Sequence, residues 1–235
     1  MSDPDPLPQP IFTTETRIQK FVTEHKLPEK PERKSSGYYS VSHLGHCIRA
    51  LYYRYVEHLP EPRDVVFETE RAQVGRAWEE IIVRWFETAK LLHARQVEVR
   101  EEEPLNLKGF VDMEIYDEGG VFPVEVKSVD NGNRWKSEPK SDAYLQLQTY
   151  MMLQGKGHGY LLYASTQDVG DWWMFRVETD PAAHRWIRER VATIELYRYL
   201  GSPPLRPVPD PKLWFKCQWK ESRCPFFDVC WKAER

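Results

Sequence analysis

The sequence predicts an α/β fold, or an α+β fold, built around a mixed central sheet flanked by helices. Two runs, GFVDMEIY from position 109 and VFPVEVKSV from position 121, alternate apolar and polar residues as half-buried strands do. The DEGG segment at 117–120 between them is a tight-turn signal, so the two runs predict a β-hairpin. Along the chain we predict helices, three strands, a helix, two strands and a last helix, an order typical of a mixed sheet with helical layers.

The individual elements follow from apolar spacing and from capping residues. In chain order they are a helix capped by Ser42, a longer helix over about 64–90, a strand at about 95–100, the hairpin, a helix over about 141–154 that ends at Gly155, strands at 159–164 and 172–178, and a helix that begins at Asp180-Pro181 and stops at Gly201.

Three parts are expected along the chain. Residues 1–35 form a Pro-rich disordered tail with one short helix, and residues 36–200 form the core. Residues 201–235 hold a stiff linker, GSPPLRPVPDP, and a cysteine-bearing segment that packs back on Cys47.

Composition restricts the location of the protein more than its partners. The chain has 235 residues and a net charge of −3, ordinary for a soluble globular protein with one good core. No apolar run is long enough to span a bilayer, and MSDPDPLPQP at the start is not a signal peptide. We therefore expect a cytoplasmic protein with no membrane partner. The charge leaves room for a local basic groove that binds nucleic acid.

The hairpin brings charged residues together. If its turn is centred between Glu118 and Gly119, residues whose numbers sum to 237 lie opposite one another, so Asp112 faces Glu125. Lys127 then projects on the same side as Glu125. Two facing carboxylates need a compensating cation, and Mg²⁺ or Mn²⁺ suits oxygen ligands. The alternative is a surface hairpin whose charges are only solvated.

The long helix carries two adjacent glutamates in different surroundings. Its predicted buried stripe consists of Val74, Ala77, Trp78, Ile81, Ile82, Trp85 and Phe86. Glu80 has Arg76 and Arg84 at four-residue spacing, which predicts a solvated salt-bridge ladder. Glu79 has mainly apolar helical neighbours, where a carboxylate is costly unless it is paired or bound to metal. Glu79 is therefore the candidate ligand. The alternative is that Glu79 lies at the edge of the buried face with its carboxylate in water.

The four cysteines indicate a second metal site. Cys47 lies on the first core helix, and Cys217, Cys224 and Cys230 lie close together near the end of the chain. Four thiolates without CxxC pairs fit a 4Fe-4S cluster better than zinc. Buried free thiols are the alternative. A cluster would join the N-terminal and C-terminal parts of the core.

These features together resemble the PD-(D/E)xK nuclease superfamily, in particular its RecB-like branch with an iron-sulfur cluster. That branch includes the AddB nuclease domain, the CRISPR-adaptation exonucleases of the Cas-four type and related phage exonucleases. GFVD, EVK and QLQTY look like the family's aspartate, glutamate-lysine and QxxxY motifs. The segment 75–80 looks like the first motif, with Glu79 where the family commonly has His. SHLGHCIRALYY from position 42 looks like the first cluster cysteine and its surroundings, whereas Cys217 and Cys224 are spaced more widely than the family's CxxC form.

The resemblance implies a restriction-endonuclease-like fold in which metal-activated water attacks a DNA phosphodiester. The implied metal ligands are Glu79, Asp112, Glu125 and the carbonyl of Val126. Lys127 would position the nucleophile, and Gln146 and Tyr150 would orient the substrate or the lysine. Basic residues that are candidate phosphate contacts are Arg49, Arg54, Arg134, Lys136 and Lys140.

We therefore expect an Mg²⁺- or Mn²⁺-dependent deoxyribonuclease, an exonuclease that acts on single-stranded DNA ends or tails. Its setting would be phage recombination, repair or CRISPR spacer processing, in a bacterial, archaeal or phage-infected cell, with CRISPR-adaptation or recombination proteins as possible partners. A second hypothesis is a non-catalytic DNA-binding or adaptor module that keeps the fold and the cluster. A third is a zinc-stapled protein interaction domain.

Overall fold

The computed structural model describes most of the chain after residue 36. The described ranges are 37–60, 65–129, 139–168, 170–206 and 224–231, with side chains in the helix that begins at residue 65 described for Gln73 and from Gly75 onward. The chain divides into two units, 1–36 and 37–235, and the second contains every described residue.

The second unit contains the strands and helices that the sequence predicts, together with a two-residue strand at 39–40 and a short helix at 227–231 that it does not predict. In chain order its elements are β1 (Tyr39–Ser40), α1 (Ile48–Tyr55), α2 (Val65–Thr88), β2 (Leu92–Glu101), β3 (Leu107–Asp117), β4 (Gly120–Val129), α3 (Ser141–Gln154), β5 (His158–Ser165), β6 (Trp172–Glu178), α4 (Pro181–Leu200) and α5 (Phe227–Trp231). A 3₁₀ turn, Val41–His43, follows β1.

The strands form one mixed sheet, which confirms the predicted fold class. The pairs β2–β3, β3–β4 and β5–β6 are antiparallel, whereas β1–β3 and β4–β5 are parallel. Helices cover both faces. Leu147 on α3 packs against Leu161 of β5, and Ile82 on α2 packs against the next residue, Leu162. Because successive side chains of a strand point to opposite faces, α2 and α3 lie on opposite sides of the sheet.

The predicted hairpin and its register are confirmed. β3 and β4 pair from Asp117 and Gly120 at the turn to Met113 and Val124, and each pair of residue numbers sums to 237. The backbone at the turn has φ of 95° at Gly119 and 153° at Gly120, conformations that glycine adopts readily.

One edge of β3 pairs first with β1 and then with β4, and we call the gap between these two neighbours the fork of the sheet. β2 pairs along the opposite edge of β3 from Leu107 to Ile115. The first edge pairs with β1 at Leu107 and Lys108 and with β4 from Met113 onward. Residues 109–112 of β3 therefore lie between two diverging neighbours. A gap of this kind at a sheet edge gives side chains room to form a cavity.

Helix ends follow the capping signals. Gly155 follows α3 with φ of 62°, and Gly201 follows α4 with φ of 63°, so both helices end at a left-handed glycine. Asp180 accepts a hydrogen bond from the Ala182 N–H at the start of α4.

The prediction that Ser42 caps the first core helix is wrong. Ser42 lies in the 3₁₀ turn, and α1 begins six residues later at Ile48. The intervening carbonyls of Leu44 and His46 accept hydrogen bonds from the Arg190 guanidinium on α4. A tertiary contact thus satisfies the backbone groups that a longer helix would have satisfied.

The buried stripe of α2 also differs from the prediction. Trp78, Ile82 and Val83 are buried, but Ile81 is 37% exposed and Ala77 is exposed. Val83 is buried and Ile81 is not, so the buried face of α2 is rotated around the helix axis relative to the predicted face. No described helix combines the length and the apolar character needed to cross a membrane.

Candidate active site

A cavity of about 310 Å³ opens at the fork of the sheet. It collects residues from the 3₁₀ turn, α2, β3, β4 and α3. The lining residues are Ser42, Gly75, Glu79, Asp112, Glu125, Val126, Lys127, Ser128 and Gln146. The charged residues singled out in the hairpin and in the long helix therefore share one cavity.

The side chain of Asp112 makes a hydrogen bond to β4 just beyond the point where the backbone pairing of β3 and β4 ends. Its Oδ2 accepts a hydrogen bond of 2.8 Å from the backbone N–H of Val126, next to the last paired residues of the hairpin. Burial raises the pKa of Asp112 to about 6, against the lowering effects of that N–H and of Lys127, while the charge of Glu79 raises it further. A carboxylate in this position favours a nearby positive charge.

Glu125 is the most deeply buried charged residue of the cavity, with 1% exposure. Burial is the largest cause that raises its pKa to about 8, and the charge of Asp112 adds to it. Lys127 offsets only part of that cost. The Nζ of Lys127 donates to Oε1 of Glu125, but Oε2 is buried and has no hydrogen-bond partner. Such an orphaned oxygen is costly, so it marks a place where a cation fits.

Lys127 is held by a chain of hydrogen bonds that ends in the backbone of β3. Its Nζ donates to Oε1 of Gln146 at 3.2 Å, and Nε2 of Gln146 donates to the hydroxyl of Tyr150 at 2.9 Å. That hydroxyl donates to the carbonyl of Phe110 at 2.8 Å. Burial opposes the charge of Lys127, yet Glu125 and Asp112 raise its pKa above the ordinary value. The lysine therefore stays protonated and fixed in direction.

Glu79 reaches the same cavity from α2. It is half-buried, and Nε2 of Gln96 on β2 donates a hydrogen bond to its Oε1. Its neighbour Glu80 pairs instead with Arg95 at 2.8 Å and Arg84 at 3.7 Å, outside the cavity. The predicted salt bridge to Arg84 is confirmed, and Arg95 is the nearer partner. The two adjacent glutamates thus have different surroundings.

The carboxylates of Glu79, Asp112 and Glu125 do not form a complete set of metal ligands in this arrangement. Within the described ranges, no three His, Cys, Asp or Glu side chains are grouped closely enough to hold a metal ion. Glu79, Asp112 and Glu125 nevertheless line one cavity and influence one another electrostatically. Each of the three is bound to a hydrogen-bond donor: Glu79 to Gln96, Asp112 to the Val126 N–H, and Glu125 to Lys127.

Sequence reasoning missed several residues of this cavity. The sequence predicts only a capping role for Ser42 and none for Ser128. It also predicts none for Gln96, which does not line the cavity but binds Glu79. Gly75 lies so near the end of β4 that an added Cβ would come within 3.8 Å of the Ser128 hydroxyl. None of these contacts has a periodic signal, because each depends on how α2 and the turn at 41–43 pack against the sheet.

Three cysteines line a second, smaller cavity, although among the described residues their side chains are not grouped closely enough to hold a metal ion. Cys47, Cys224 and Cys230 line it together with Arg49, Tyr53 and Trp231. Cys230 is buried, which raises the pKa of its thiol. The segment 224–231 packs on α1 through Phe226 and Cys230, next to Tyr53. Cys217 lies outside the described residues.

The candidate phosphate contacts occupy different surroundings. Arg49 is buried and donates to the Tyr53 hydroxyl and, at 2.8 Å, to the Pro204 carbonyl, a position that favours a structural role. Arg54 is partly exposed and lies 3.2 Å from Nδ1 of His46. Lys140 directly precedes α3. Arg134 and Lys136 lie outside the described residues.

Comparison with known proteins finds similar folds among solved structures. No family model matches the chain, and no curated protein matches it either. The structure of SSO0001 is similar, with a TM-score of 0.56, 17% identity, and coverage of 93% of this chain and 96% of that one. An alkaline exonuclease from Laribacter hongkongensis is similar with a TM-score of 0.52 and 14% identity over 71% of this chain and 90% of its own.

The same exonuclease in complex with dAMP is similar with a TM-score of 0.51 and 15% identity, over 70% of this chain and 89% of that one. Identities this low establish architecture and nothing finer. The chain therefore shares the mixed-sheet fold of an alkaline exonuclease.

Proposed function

We propose that this protein is a metal-dependent DNA exonuclease of the PD-(D/E)xK superfamily that hydrolyses phosphodiester bonds at single-stranded ends. The observation that carries the proposal is that the buried Glu125 and the half-buried Asp112 lie beside a charged, oriented Lys127 at the fork of the sheet. A fully buried carboxylate with a second acid and a lysine around it in one cavity is typical of a functional site rather than of solvated surface charges.

The residues of the cavity fit a hard divalent cation such as Mg²⁺ or Mn²⁺. The ligands would be Glu79, Asp112, Glu125 and the carbonyl of Val126, all oxygen donors. The orphaned Oε2 of Glu125 and the raised pKa values of both hairpin acids support this assignment. A bound divalent ion would supply positive charge to the phosphate and acidify the attacking water.

The chain's own residues would orient the reacting groups. Lys127 would hold the attacking water or a phosphate oxygen with an ammonium that Gln146 keeps in place. Tyr150 would fix Gln146 and, through the Phe110 carbonyl, tie this group to the strand that carries Asp112. Arg54, Lys140, Arg134 and Lys136 stay candidate phosphate contacts.

The fold supports the same proposal independently. The alkaline exonuclease with this architecture has been crystallised with dAMP, a DNA nucleotide. A substrate of DNA ends agrees with that complex. The pathway we propose is phage recombination, repair or CRISPR spacer processing.

We also propose a 4Fe-4S cluster held by Cys47, Cys217, Cys224 and Cys230. The support is that the three described thiols line one cavity, although Cys47 lies more than 170 positions before Cys224 and Cys230 in the sequence. The cluster would fasten the C-terminal segment to α1. Its role would be structural rather than redox.

The test is digestion of end-labelled DNA by anaerobically purified protein with Mn²⁺ or Mg²⁺. Single-stranded, tailed and blunt duplex DNA and single-stranded RNA are compared, with Glu125→Ala and Lys127→Ala as variants. We expect metal-dependent loss of nucleotides from single-stranded DNA ends, abolished in both variants. Folded protein that binds these substrates and digests none of them would favour the adaptor hypothesis instead.

A further inference from the structure

Gln96 occupies an unusual backbone position directly beside the candidate active site. In the β2–β3 register Arg95 pairs with Met113 and Val97 with Val111, which places Gln96 opposite Asp112. The φ of Gln96 is 49°, in the left-handed region that disfavours side chains with a Cβ. Among described residues, it is the one non-glycine residue with positive φ inside a strand. Strain of this kind often marks functional positions.

The side chain of Gln96 crosses to α2 and donates a hydrogen bond to Oε1 of Glu79. The adjacent residues of β2 and α2 are also in contact. Arg95 of β2 binds Glu80 of α2 at 2.8 Å. These two connections differ in chemistry and in place. Glu79 lines the cavity and is bound by a neutral amide, whereas Glu80 does not line it and is bound by a cation.

The neutral donor matters because a cationic partner would cancel the charge that a metal requires. An amide N–H holds one oxygen of a carboxylate in place while the carboxylate keeps its negative charge and its second oxygen. The charge of Glu79 does reach the hairpin acids, since it contributes to the raised pKa of both Asp112 and Glu125.

We propose that Gln96 is a positioning residue that directs Glu79 toward the cation site, and that its left-handed backbone conformation aims its side chain at α2. The inference rests on the proposed function, because it assigns a role within the same metal site. In other metal sites the groups that orient a ligand contribute about 10- to 100-fold to metal affinity.

The test compares metal affinity with stability in the full chain. Gln96→Gly removes the donor while it relieves the backbone strain, since glycine adopts positive φ freely. We expect the variant to unfold at the same or a higher temperature than the wild type and to bind Mn²⁺ about 10- to 100-fold more weakly by isothermal titration calorimetry. A residue that only supports the fold would not move these two quantities in opposite directions.

Arg95→Ala is the matched control, because it breaks the neighbouring α2–β2 connection at the surface. We expect Mn²⁺ affinity within about twofold of the wild type, since the removed charge is exposed to solvent and largely screened. Gln96→Gly added to Glu79→Ala should have no further effect, since the residue acts through Glu79.

The outcomes separate this inference from the proposed function. If the wild type binds no Mn²⁺, the proposed metal site fails and this role for Gln96 fails with it. If the wild type binds Mn²⁺ and Glu79→Ala weakens binding but Gln96→Gly does not, only the present inference is overturned. Equal losses in Arg95→Ala and Gln96→Gly would overturn it too, because both would then reflect general docking of α2.

Discussion

Asp112 and Glu125 are acids in surroundings that oppose their ionisation. Burial raises the pKa of Asp112 to about 6 and that of Glu125 to about 8. Lys127 and the Val126 N–H offset part of that effect, and one oxygen of Glu125 has no partner. The folded chain therefore stores an unfavourable charge arrangement that a divalent cation would relieve.

This arrangement gives the metal-free protein a specific pH dependence. Because both pKa values are higher in the folded state than in the unfolded chain, the folded state binds more protons between about pH 4 and pH 8. The stability contribution of the two acids should fall as pH rises through that window, by about 1.4 kcal/mol for each unit of pKa shift that is realised. We expect the thermal unfolding temperature of Glu125→Gln, relative to wild type, to rise from pH 5 to pH 8.

Added Mn²⁺ should remove most of that difference by stabilising the ionised wild type at pH 8. The comparison with Glu125→Gln matters because other carboxyls, such as Asp117 and Asp180, have lowered pKa values and shift stability in the opposite direction. A constant difference between wild type and Glu125→Gln from pH 5 to pH 8 would contradict the assigned burial of this acid.

The Tyr150 hydroxyl links Gln146, which binds Lys127, to the Phe110 carbonyl of β3. Its removal should therefore affect both stability and catalysis. Tyr150→Phe loses one donor and one acceptor and leaves the Phe110 carbonyl without this hydrogen bond. We expect destabilisation of about 1–3 kcal/mol in chemical denaturation and a reduced kcat with little change in KM.

Tyr144→Phe is the control on the same helix. It removes a comparable hydrogen bond to Asp180, outside the cavity. We expect kcat to be unchanged there. A similar loss of kcat in both variants would mean that the hydroxyl of Tyr150 acts only through the stability of α3.

The position of Gln96 shows what sequence alone does not reveal at this scale. Asp112, Glu125 and Lys127 were identified because a two-residue strand period and a tight turn place them together. Gln96 has no such pattern, because its contact with Glu79 depends on a positive φ and on how α2 crosses β2. Side chains that meet through tertiary packing leave no periodic trace.

At the scale of elements, the hairpin was predictable and the start of α1 was not. The register of β3 and β4 follows from the turn alone, which is a local constraint. Ser42 has the right residue type for a helix cap, but Arg190 of α4 binds the carbonyls of Leu44 and His46 and holds the segment in another shape. A distant residue thus overrode a local signal.

The close approach of β3, the 3₁₀ turn and α3 depends on Gly109. A Cβ at this position would lie 2.8 Å from a ring carbon of Tyr150 and 2.9 Å from Val41. We expect Gly109→Ala to destabilise the protein by about 1–3 kcal/mol in chemical denaturation, because both neighbours are buried and cannot move freely.

Gly157→Ala provides the contrast, since nothing lies within 4 Å of its added Cβ and its φ is not positive. We expect a change within about 0.5 kcal/mol there. Equal effects at the two glycines would show that the fork is not tightly packed at Gly109.

At the scale of the whole molecule, the C-terminal segment returns to α1 beside Cys47. If the proposed cluster forms there, anaerobically purified protein should be brown and contain about four irons per chain. We expect Cys230→Ser to lose iron and to unfold at a lower temperature. Trp231→Phe, which changes the same cavity without removing a thiol, should keep its iron. A colourless wild type that contains zinc would support the zinc-stapled hypothesis instead.

The general architecture of the molecule was predictable because the five longer strands and the capped helices each carry their own signal. The fork of the sheet was not, because it arises from the pairing of β1 and β4 with the same edge of β3, and β1 is only two residues long. The cavity therefore became visible only with the tertiary structure, although the sequence analysis names all four of its charged residues.

The most direct test is the single-turnover rate of cleavage of end-labelled single-stranded DNA as a function of Mn²⁺ concentration, measured for wild type, Glu125→Gln and Glu80→Gln. We expect a saturable, Mn²⁺-dependent rate in the wild type, a decrease of at least about a thousandfold in Glu125→Gln, and a rate within about twofold in Glu80→Gln. Cleavage by Glu125→Gln at the wild-type rate, or cleavage that does not require the divalent ion, would contradict the assignment of Asp112 and Glu125 as the catalytic metal site.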